Sequence, residues 1–140
     1  MVYLTRVETF SAAHRLYNSN WDEAKNYEVF GKCSHENWHG HNYELHVTVK
    51  GEVDLDTGFV INAKMLSKII KEQVLSIVDH KNLNIDVPFL KNKFTTVENL
   101  AIGIWNILEE KVAEWNASLH CVRIYETPRI FVEYYGENKI

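Results

Sequence analysis

The chain has 140 residues, which is long enough for one domain with a hydrophobic core, and we expect a single domain over residues 1–140. Apolar residues make up 46% of the chain and charged residues 24%, as is usual for a soluble globular protein. The net charge of −4 argues against a dedicated nucleic-acid-binding protein, which would normally carry a basic face.

Cellular location is indicated by three simple features of the sequence. Two cysteines do not make the disulfide framework of a secreted domain. The first six residues lack the basic region and apolar run of a signal peptide, and no apolar run is long enough to span a membrane. We therefore expect a soluble cytoplasmic protein that has no membrane partner.

The first part of the chain predicts two strands joined by a long loop. Residues 2–10 are rich in β-branched and aromatic side chains and lead through small residues to His14. Residues 17–30 have no clear period and predict a loop, with a helical turn near residues 22–27. Between His39 and Gly51 polar and apolar residues alternate, as in a half-buried antiparallel strand.

Two helices are predicted next. Asn62 is a suitable cap, and apolar residues at three- and four-residue steps over residues 65–78 form one stripe of a helix that ends at Asp79 and His80. The segment Thr-Thr-Val-Glu at residues 95–98 has the form of a capping box, and apolar positions over residues 100–112 mark the second helix.

Two more strands are predicted over residues 119–126 and 130–135, joined by a turn at residues 127–129. The element order is thus strand, strand, helix, helix, strand, strand. Because sequential strands pair readily, we expect an α+β fold in which two helices cover one face of a four-stranded antiparallel sheet. The other face would need a partner, which indicates an oligomer.

Three histidines suggest a metal site. His39 and His41 lie two residues apart, so both side chains project from the apolar side of their strand. Imidazoles on a buried face need partners for their nitrogens, and a divalent metal ion provides them. A hairpin would bring His14 beside this pair as a third ligand, leaving one coordination position open as in catalytic zinc sites. Taken alone, His14 would instead be a polar residue entering a loop.

Further candidates have both chemical and structural explanations. Three roles are considered for Cys33: a base next to a metal ion, a fourth metal ligand, or a small buried side chain without a chemical role. An imidazolium at His80 would interact favourably with the dipole at a helix C-terminus, whereas the carboxylate of Asp79 would not. The two residues could form a proton-transfer pair, but the structural explanation of His80 by the helix dipole is favoured. Glu126 lies on an otherwise apolar side of its strand and needs a specific partner unless the strand end is frayed. Glu98 is explained by the capping box.

Taken together, these segments resemble the 6-pyruvoyl-tetrahydropterin synthase / 6-carboxytetrahydropterin synthase family. The resemblance covers nearly the whole chain and rests on five motifs in the family's order: Phe-Ser-Ala-Ala-His at 10–14, Cys33 with His-Gly-His-Asn-Tyr at 39–43, Val-Asp-His-Lys-Asn-Leu at 78–83, Thr-Val-Glu-Asn at 96–99 and Tyr-Glu-Thr at 125–127. It implies the tunnelling fold (T-fold), in trimers that pair into hexamers with active sites between subunits.

The resemblance also implies a substrate and residue roles. Members act on 7,8-dihydroneopterin triphosphate, with Zn(II) bound by the three histidines. Cys33 would be the proton-abstracting base, and Asp79 with His80 a second proton-transfer group. Glu126 would anchor the pterin ring, with further pterin contacts near Thr96 and Glu98. Val97 departs from the family pattern, because members often carry Ser or Thr there.

The family divides by product. The five-residue spacer between Cys33 and His39 is similar to that of the branch that eliminates triphosphate to give 6-pyruvoyl-tetrahydropterin. One alternative is the branch that forms 6-carboxy-5,6,7,8-tetrahydropterin with loss of acetaldehyde, on the route to queuosine. The other is a zinc-binding module without catalysis, in which Cys33 closes the site as a fourth ligand.

Overall fold

The computed structural model describes residues 1–137 and has one five-stranded sheet. The strands lie in the order β3-β1-β2-β4-β5, and every neighbouring pair is antiparallel except β3 with β1, which is parallel. The strand bounds are β1 Val2–His14, β2 His39–Gly51, β3 Lys81–Asn82, β4 Ser118–Thr127 and β5 Ile130–Tyr134. The predicted α+β class is confirmed, whereas the prediction of four strands is wrong by one.

The additional strand, β3, lies at the edge of the sheet beside the end of β1. Lys81 and Asn82 pair with Ala12 and Ala13, after His80 has turned the chain with a φ of 60°. Two residues are too few to show the alternation that predicts a strand from sequence. Pairing with the neighbouring end of β1 keeps this segment extended.

Four α-helical segments are present: α1 Glu23–Phe30, α2 Ala63–Ile70, α3 Ser76–Val78 and α4 Val97–Ala113. The π-helical segment Lys71–Leu75 joins α2 to α3, so the predicted helix over residues 65–78 is a continuous helical body with a wide turn inside it. The predicted helical turn near residues 22–27 is a longer helix, α1. It begins after Asp22, whose carboxylate accepts a hydrogen bond from the Lys25 backbone N–H.

The start of α4 differs from the predicted capping box by one residue. The Thr96 side chain, not that of Thr95, accepts the capping hydrogen bond, which comes from the Asn99 backbone N–H at 3.2 Å. Both threonines suit a cap by composition, but the Thr95 hydroxyl is buried and bonded to other groups. Glu98 is therefore not the partner residue of a capping box.

The helices cover one face of the sheet and enclose the core. Residues at alternate positions of β2, including Leu45 and Val47, are fully buried, as are Leu66 of α2 and Leu100 of α4. Continuing this alternation toward the start of β2 leads to His41 and His39 on the same face. The buried face of the sheet thus ends in imidazoles. No helix within residues 1–137 is long and apolar enough to cross a membrane.

Candidate metal centre and active site

The three histidines predicted to bind a metal lie together at one end of the sheet. The antiparallel register places His14 opposite His39 and Ala12 opposite His41, so the three rings share the helix-covered face. The ring centroids are 4.5 Å apart for His14 and His39, 4.9 Å for His39 and His41, and 5.1 Å for His14 and His41. One possible ligand nitrogen from each ring lies within 4.8 Å of the other two.

The buried nitrogens of this triad fit a metal ion. His14 is 1% exposed, and its Nδ1 lies 2.7 Å from the Thr95 backbone oxygen, which can only accept a hydrogen bond. Nδ1 therefore carries the proton, and Nε2 has a free lone pair. Within residues 1–137, the buried Nε2 atoms of all three histidines have no hydrogen-bond partner. A tetrahedral zinc ion with zinc–nitrogen bonds of about 2.0–2.1 Å needs its ligand nitrogens about 3.4 Å apart, so the three rings would move closer together on binding the ion.

The electrostatics of the triad favour neutral imidazoles. Burial lowers the pKa of His14, His39 and His41, and neighbouring imidazoles of the triad lower each pKa further. The Thr95 carbonyl and the Glu126 carboxylate act in the opposite direction on His14, but burial prevails. A neutral imidazole is the form that binds a metal ion, so the environment prepares all three rings as ligands.

Glu126 lies beside the triad, near the end of β4. Its Oε1 is 3.8 Å from His41 Nε2, and its side chain is 17% exposed. Burial raises the pKa of the Glu126 carboxyl, and the Glu98 carboxylate raises it further, while His14 lowers it. A mostly buried carboxylate next to a metal centre can bind a ligand edge that presents several N–H groups.

Cys33 lies in a 3₁₀ segment, Gly31–Ser34, that follows α1. The Leu16 backbone N–H donates to the Cys33 carbonyl oxygen at 2.8 Å, which holds this segment next to the end of β1. Burial raises the pKa of the thiol, and the Glu126 carboxylate raises it further. Among the described residues, the cluster of possible ligands contains the three histidines and not Cys33. This arrangement gives no support to a closed four-ligand site.

Asp79 and His80 form the predicted pair at the outer edge of β1. Asp79 Oδ1 lies 2.9 Å from His80 Nδ1 and also accepts a hydrogen bond from the Ser11 backbone N–H at 3.0 Å. The His80 side chain is 83% exposed and lines an open cleft of about 550 Å³. Within residues 1–137, no hydrogen bond or ion pair joins this pair to the triad. Within these residues the Asp79–His80 pair is thus separate from the histidine triad.

The remaining predicted contacts lie at the start of α4. Thr96 is the helix cap, and Glu98 follows in the first turn, where its charge acts on Glu126. Val97, which departs from the family pattern, is 5% exposed and belongs to the core. A hydrophobic residue is thus explained at that position by packing.

The sequence analysis assigned no role in the site to two residues beside the triad: Tyr43, whose ring centroid lies 5.6 Å from that of His41, and Thr95, whose carbonyl contacts His14. Tyr43 is 1% exposed, its ring stacks on Phe10, and its hydroxyl has no partner within residues 1–137. Its position, two residues after His41 on the same face of β2, was a usable signal. Thr95 contributes a backbone carbonyl to His14, for which no sequence pattern exists.

The fold and the site define a class of protein, namely a small α+β protein with a three-histidine cluster at the end of its sheet that could hold a metal ion. The chain matches the family model described as 6-pyruvoyl tetrahydropterin synthase over residues 3–137. It therefore belongs to the 6-pyruvoyl tetrahydropterin synthase family, and the prediction of an enzyme of this family is confirmed.

Individual relatives agree with this family. The chain is 46% identical over 136 residues to a 6-pyruvoyl tetrahydrobiopterin synthase from Dictyostelium discoideum, covering 97% of each protein. It is 30% identical over 128 residues to a 6-carboxy-5,6,7,8-tetrahydropterin synthase from Haemophilus influenzae, covering 74% of this chain and 84% of that one. The structure of Caenorhabditis elegans 6-pyruvoyl tetrahydropterin synthase matches with a TM-score of 0.89 and 42% identity, over 97% of this chain and 96% of that one. The T-fold prediction is confirmed.

Proposed function

We propose that this protein is a zinc-dependent synthase that converts 7,8-dihydroneopterin triphosphate into 6-pyruvoyl-tetrahydropterin and triphosphate. The single observation that carries the proposal is the triad of His14, His39 and His41, whose buried Nε2 atoms have no hydrogen-bond partner within residues 1–137, beside the carboxylate of Glu126. The reaction breaks one carbon–oxygen bond and moves protons within the substrate. It therefore needs a base and a charge-stabilising centre, but no external oxidant.

Zinc is the metal that suits this donor set. Three neutral imidazoles with no fourth protein ligand among the described residues match the ligand pattern of catalytic zinc, which keeps one position open. When bound, the ion would polarise the side-chain oxygens of the substrate and acidify the adjacent C–H bonds. The triad would hold the ion, and the helix-covered face around it would exclude water.

The protein's own acidic and thiol groups would bind the substrate and move its protons. Glu126 would accept hydrogen bonds from the N–H edge of the pterin, with Thr96 and Glu98 near the same edge. Cys33 would remove a proton from the substrate side chain. Its raised pKa means that the thiol holds its proton in the metal-free protein, so a nearby cation would be needed to form the thiolate.

Asp79 and His80 would complete the site of a neighbouring copy as a second proton-transfer group. Support comes from their exposed position and from the lack of a link to the triad within residues 1–137 of their own chain. The sheet also has two edges suited to pairing between copies. Residues 2–11 of β1 pair with β2 on one side only, and β5 is the last strand at the other edge. A hexamer made of two trimers would use these edges.

The 6-pyruvoyl product is proposed over the 6-carboxy product because the chain is more similar to the pyruvoyl-type relative. The pyruvoyl-type relative is 46% identical over 97% of this chain, whereas the carboxy-type relative is 30% identical over 74%. This difference agrees with the five-residue spacer between Cys33 and His39. Both cysteines are free thiols, which supports a reducing cytoplasmic location.

Product analysis tests the proposed function. The zinc-loaded protein is incubated with 7,8-dihydroneopterin triphosphate, and products are identified by mass spectrometry while acetaldehyde is measured in parallel. We expect 6-pyruvoyl-tetrahydropterin with equimolar triphosphate and no acetaldehyde. A 6-carboxy product with matching acetaldehyde would assign the other branch. Unchanged substrate with zinc still bound would favour the non-catalytic module.

A further inference from the structure

We infer that Thr95 and Asn84 are positioning residues that orient His14 as a metal ligand; this inference rests on the metal site of the proposed function. Neither residue reaches the triad with its own side chain. They act through two backbone groups, the Thr95 carbonyl and the backbone of Arg15. The term His14 clamp is used below for Thr95, Asn84 and the Arg15 backbone.

The first part of the clamp is the hydrogen bond from His14 Nδ1 to the Thr95 carbonyl, at 2.7 Å. This bond selects the tautomer in which Nε2 has the free lone pair, and it limits rotation of the ring. Both residues are 1% exposed, so water does not compete for the bond. The direction in which the Thr95 carbonyl points therefore determines where the His14 lone pair points.

The second part is a set of side-chain bonds to Arg15. The Arg15 backbone N–H donates to Asn84 Oδ1 at 3.0 Å, and Asn84 Nδ2 donates to the Arg15 carbonyl at 2.9 Å. These two bonds reproduce the pairing of a neighbouring strand. The Thr95 hydroxyl lies 3.2 Å from the Arg15 carbonyl and 3.1 Å from Asn84 Oδ1, so it can donate to either.

The clamp lies where the regular sheet ends. His14 is the last residue of β1, and the pairing of β1 with β3 stops at Ala13. Beyond His14 the sheet ladder ends: the Leu16 backbone N–H donates to the Cys33 carbonyl, and the Arg15 backbone is held by the Asn84 side chain. A metal centre needs its ligands fixed more closely than a frayed strand end allows. The clamp supplies that restraint.

The test compares metal affinity in variants that retain the Thr95 carbonyl. Thr95→Val removes the hydroxyl at nearly constant volume, and Asn84→Ala removes the paired amide.

Three variants are controls. Thr95→Ser keeps a hydroxyl at the same position, and Thr48→Val removes an exposed threonine hydroxyl on the other face of the sheet. Asn26→Ala removes a buried amide that holds residues 18–22 and, within residues 1–137, forms no hydrogen bond with the clamp. Zinc affinity of each protein is measured by competition with a chromophoric chelator, and folding by thermal melting.

We expect Thr95→Val and Asn84→Ala to weaken zinc binding roughly 10- to 100-fold, the range typical of groups that support a ligand. Thr95→Ser and Thr48→Val should bind as the wild type does, and Asn26→Ala should lose stability without losing affinity. Wild-type affinity in Thr95→Val would overturn the inference. So would an equal loss in Asn26→Ala, because that would mean general destabilisation.

A second readout needs no metal. Nitrogen-15 NMR of the metal-free protein reports the tautomer of each histidine ring. We expect His14 to carry its proton on Nδ1 in the wild type and to populate both tautomers in Thr95→Val. The same single tautomer in both proteins would overturn the inference. The wild type could fail to bind zinc while the two proteins still differ in the His14 tautomer in this way. In that case the proposed metal function fails, and the role of the clamp in orienting His14 is upheld.

Discussion

His14 stands directly opposite His39 in the antiparallel ladder of β1 and β2, with the two ring centroids 4.5 Å apart. Since side chains alternate between faces, shifting this pairing by one residue would move one imidazole to the opposite face. The register of β1 with β2 therefore also determines which histidine side chains come together in the triad. Variants at the site can test chemistry without disturbing that register.

Replacing Cys33 with alanine separates a base from a metal ligand. We expect Cys33→Ala to keep zinc affinity within about twofold and to lose at least ~100-fold in turnover, since general-base catalysis contributes about 10²–10⁴-fold. Zinc content by elemental analysis and the rate of triphosphate release measure the two effects. Cys121→Ala is the matched control, because that thiol is buried in β4. Release of zinc from Cys33→Ala would instead indicate a closed four-ligand site.

Glu126→Gln tests the pterin anchor. The substitution keeps the shape of the side chain but removes the charge that would accept hydrogen bonds from the pterin edge. A hydrogen bond to a charged group contributes about 1.5–3 kcal/mol, so neopterin should bind roughly 10- to 150-fold more weakly. Fluorescence titration of zinc-loaded wild type and variant measures this change. Unchanged neopterin affinity would show that Glu126 has another role.

The triad makes the stability of the metal-free protein sensitive to acid. Burial lowers the pKa of each of its histidines below the usual value of about 6.5, so just below that pH the unfolded chain binds more protons than the folded protein. The free energy of unfolding should thus decrease as pH falls below about 6.5. Urea denaturation at pH 7.5 and pH 5.5 measures the difference.

The control for this pH effect is a histidine outside the site. His39→Asn should show a smaller loss of stability between pH 7.5 and pH 5.5 than the wild type, because one buried imidazole has been removed. His120→Asn should behave as the wild type does. Equal pH dependence in the wild type and His39→Asn would contradict the assignment to the triad.

The partly buried carboxylate of Glu8 links β1 to α2 through a hydrogen bond, and this contact provides a test of how the helix packs on the sheet. Ser67 Oγ donates to Glu8 Oε1 at 2.5 Å and Arg6 Nε donates to it at 2.9 Å. Burial raises the pKa of Glu8, but these two bonds and the charges of Arg6 and Lys71 prevail and lower it below 4.5. The ionised Glu8 carboxylate therefore stabilises the folded protein above about pH 4.5, and this stabilisation is lost as the pH falls through the lowered pKa of Glu8.

Ser67→Ala should therefore destabilise the protein by about 1.5–3 kcal/mol at pH 7 and by less at pH 3. Chemical denaturation at the two pH values measures both differences. Ser76→Ala is a suitable control, since Ser76 is exposed and its hydroxyl donates to the Glu72 carbonyl of the same helical body. An equal effect of Ser67→Ala at pH 7 and pH 3 would show that the hydrogen bond does not depend on the Glu8 charge.

Strong periodic patterns made much of this fold predictable. The alternation over β2 predicted its observed bounds, His39–Gly51, and the apolar stripe predicted the helical body from α2 to α3. The first strand runs four residues further than predicted, to His14. Its last part has small side chains with little strand preference, and pairing with the start of β2 makes it extended.

Features that depend on tertiary contacts were not predictable. Thr95 and Thr96 are equivalent in sequence as caps, and the contacts of Thr95 with Arg15 and Asn84 decide between them. The Thr95 carbonyl that orients His14 has no side-chain signature at all. The relation of Asp79 to the triad could not be derived either, because no hydrogen bond or ion pair joins the two within residues 1–137 of one chain.

Zinc content combined with activity tests the central claim most directly. The purified protein and its His41→Asn variant are analysed for metal, treated with a chelator, and assayed for turnover of 7,8-dihydroneopterin triphosphate before and after zinc is restored. We predict close to one zinc per wild-type chain, loss of turnover on chelation, recovery with zinc, and neither zinc nor turnover in the variant. Full turnover by a metal-free wild-type protein would contradict the account.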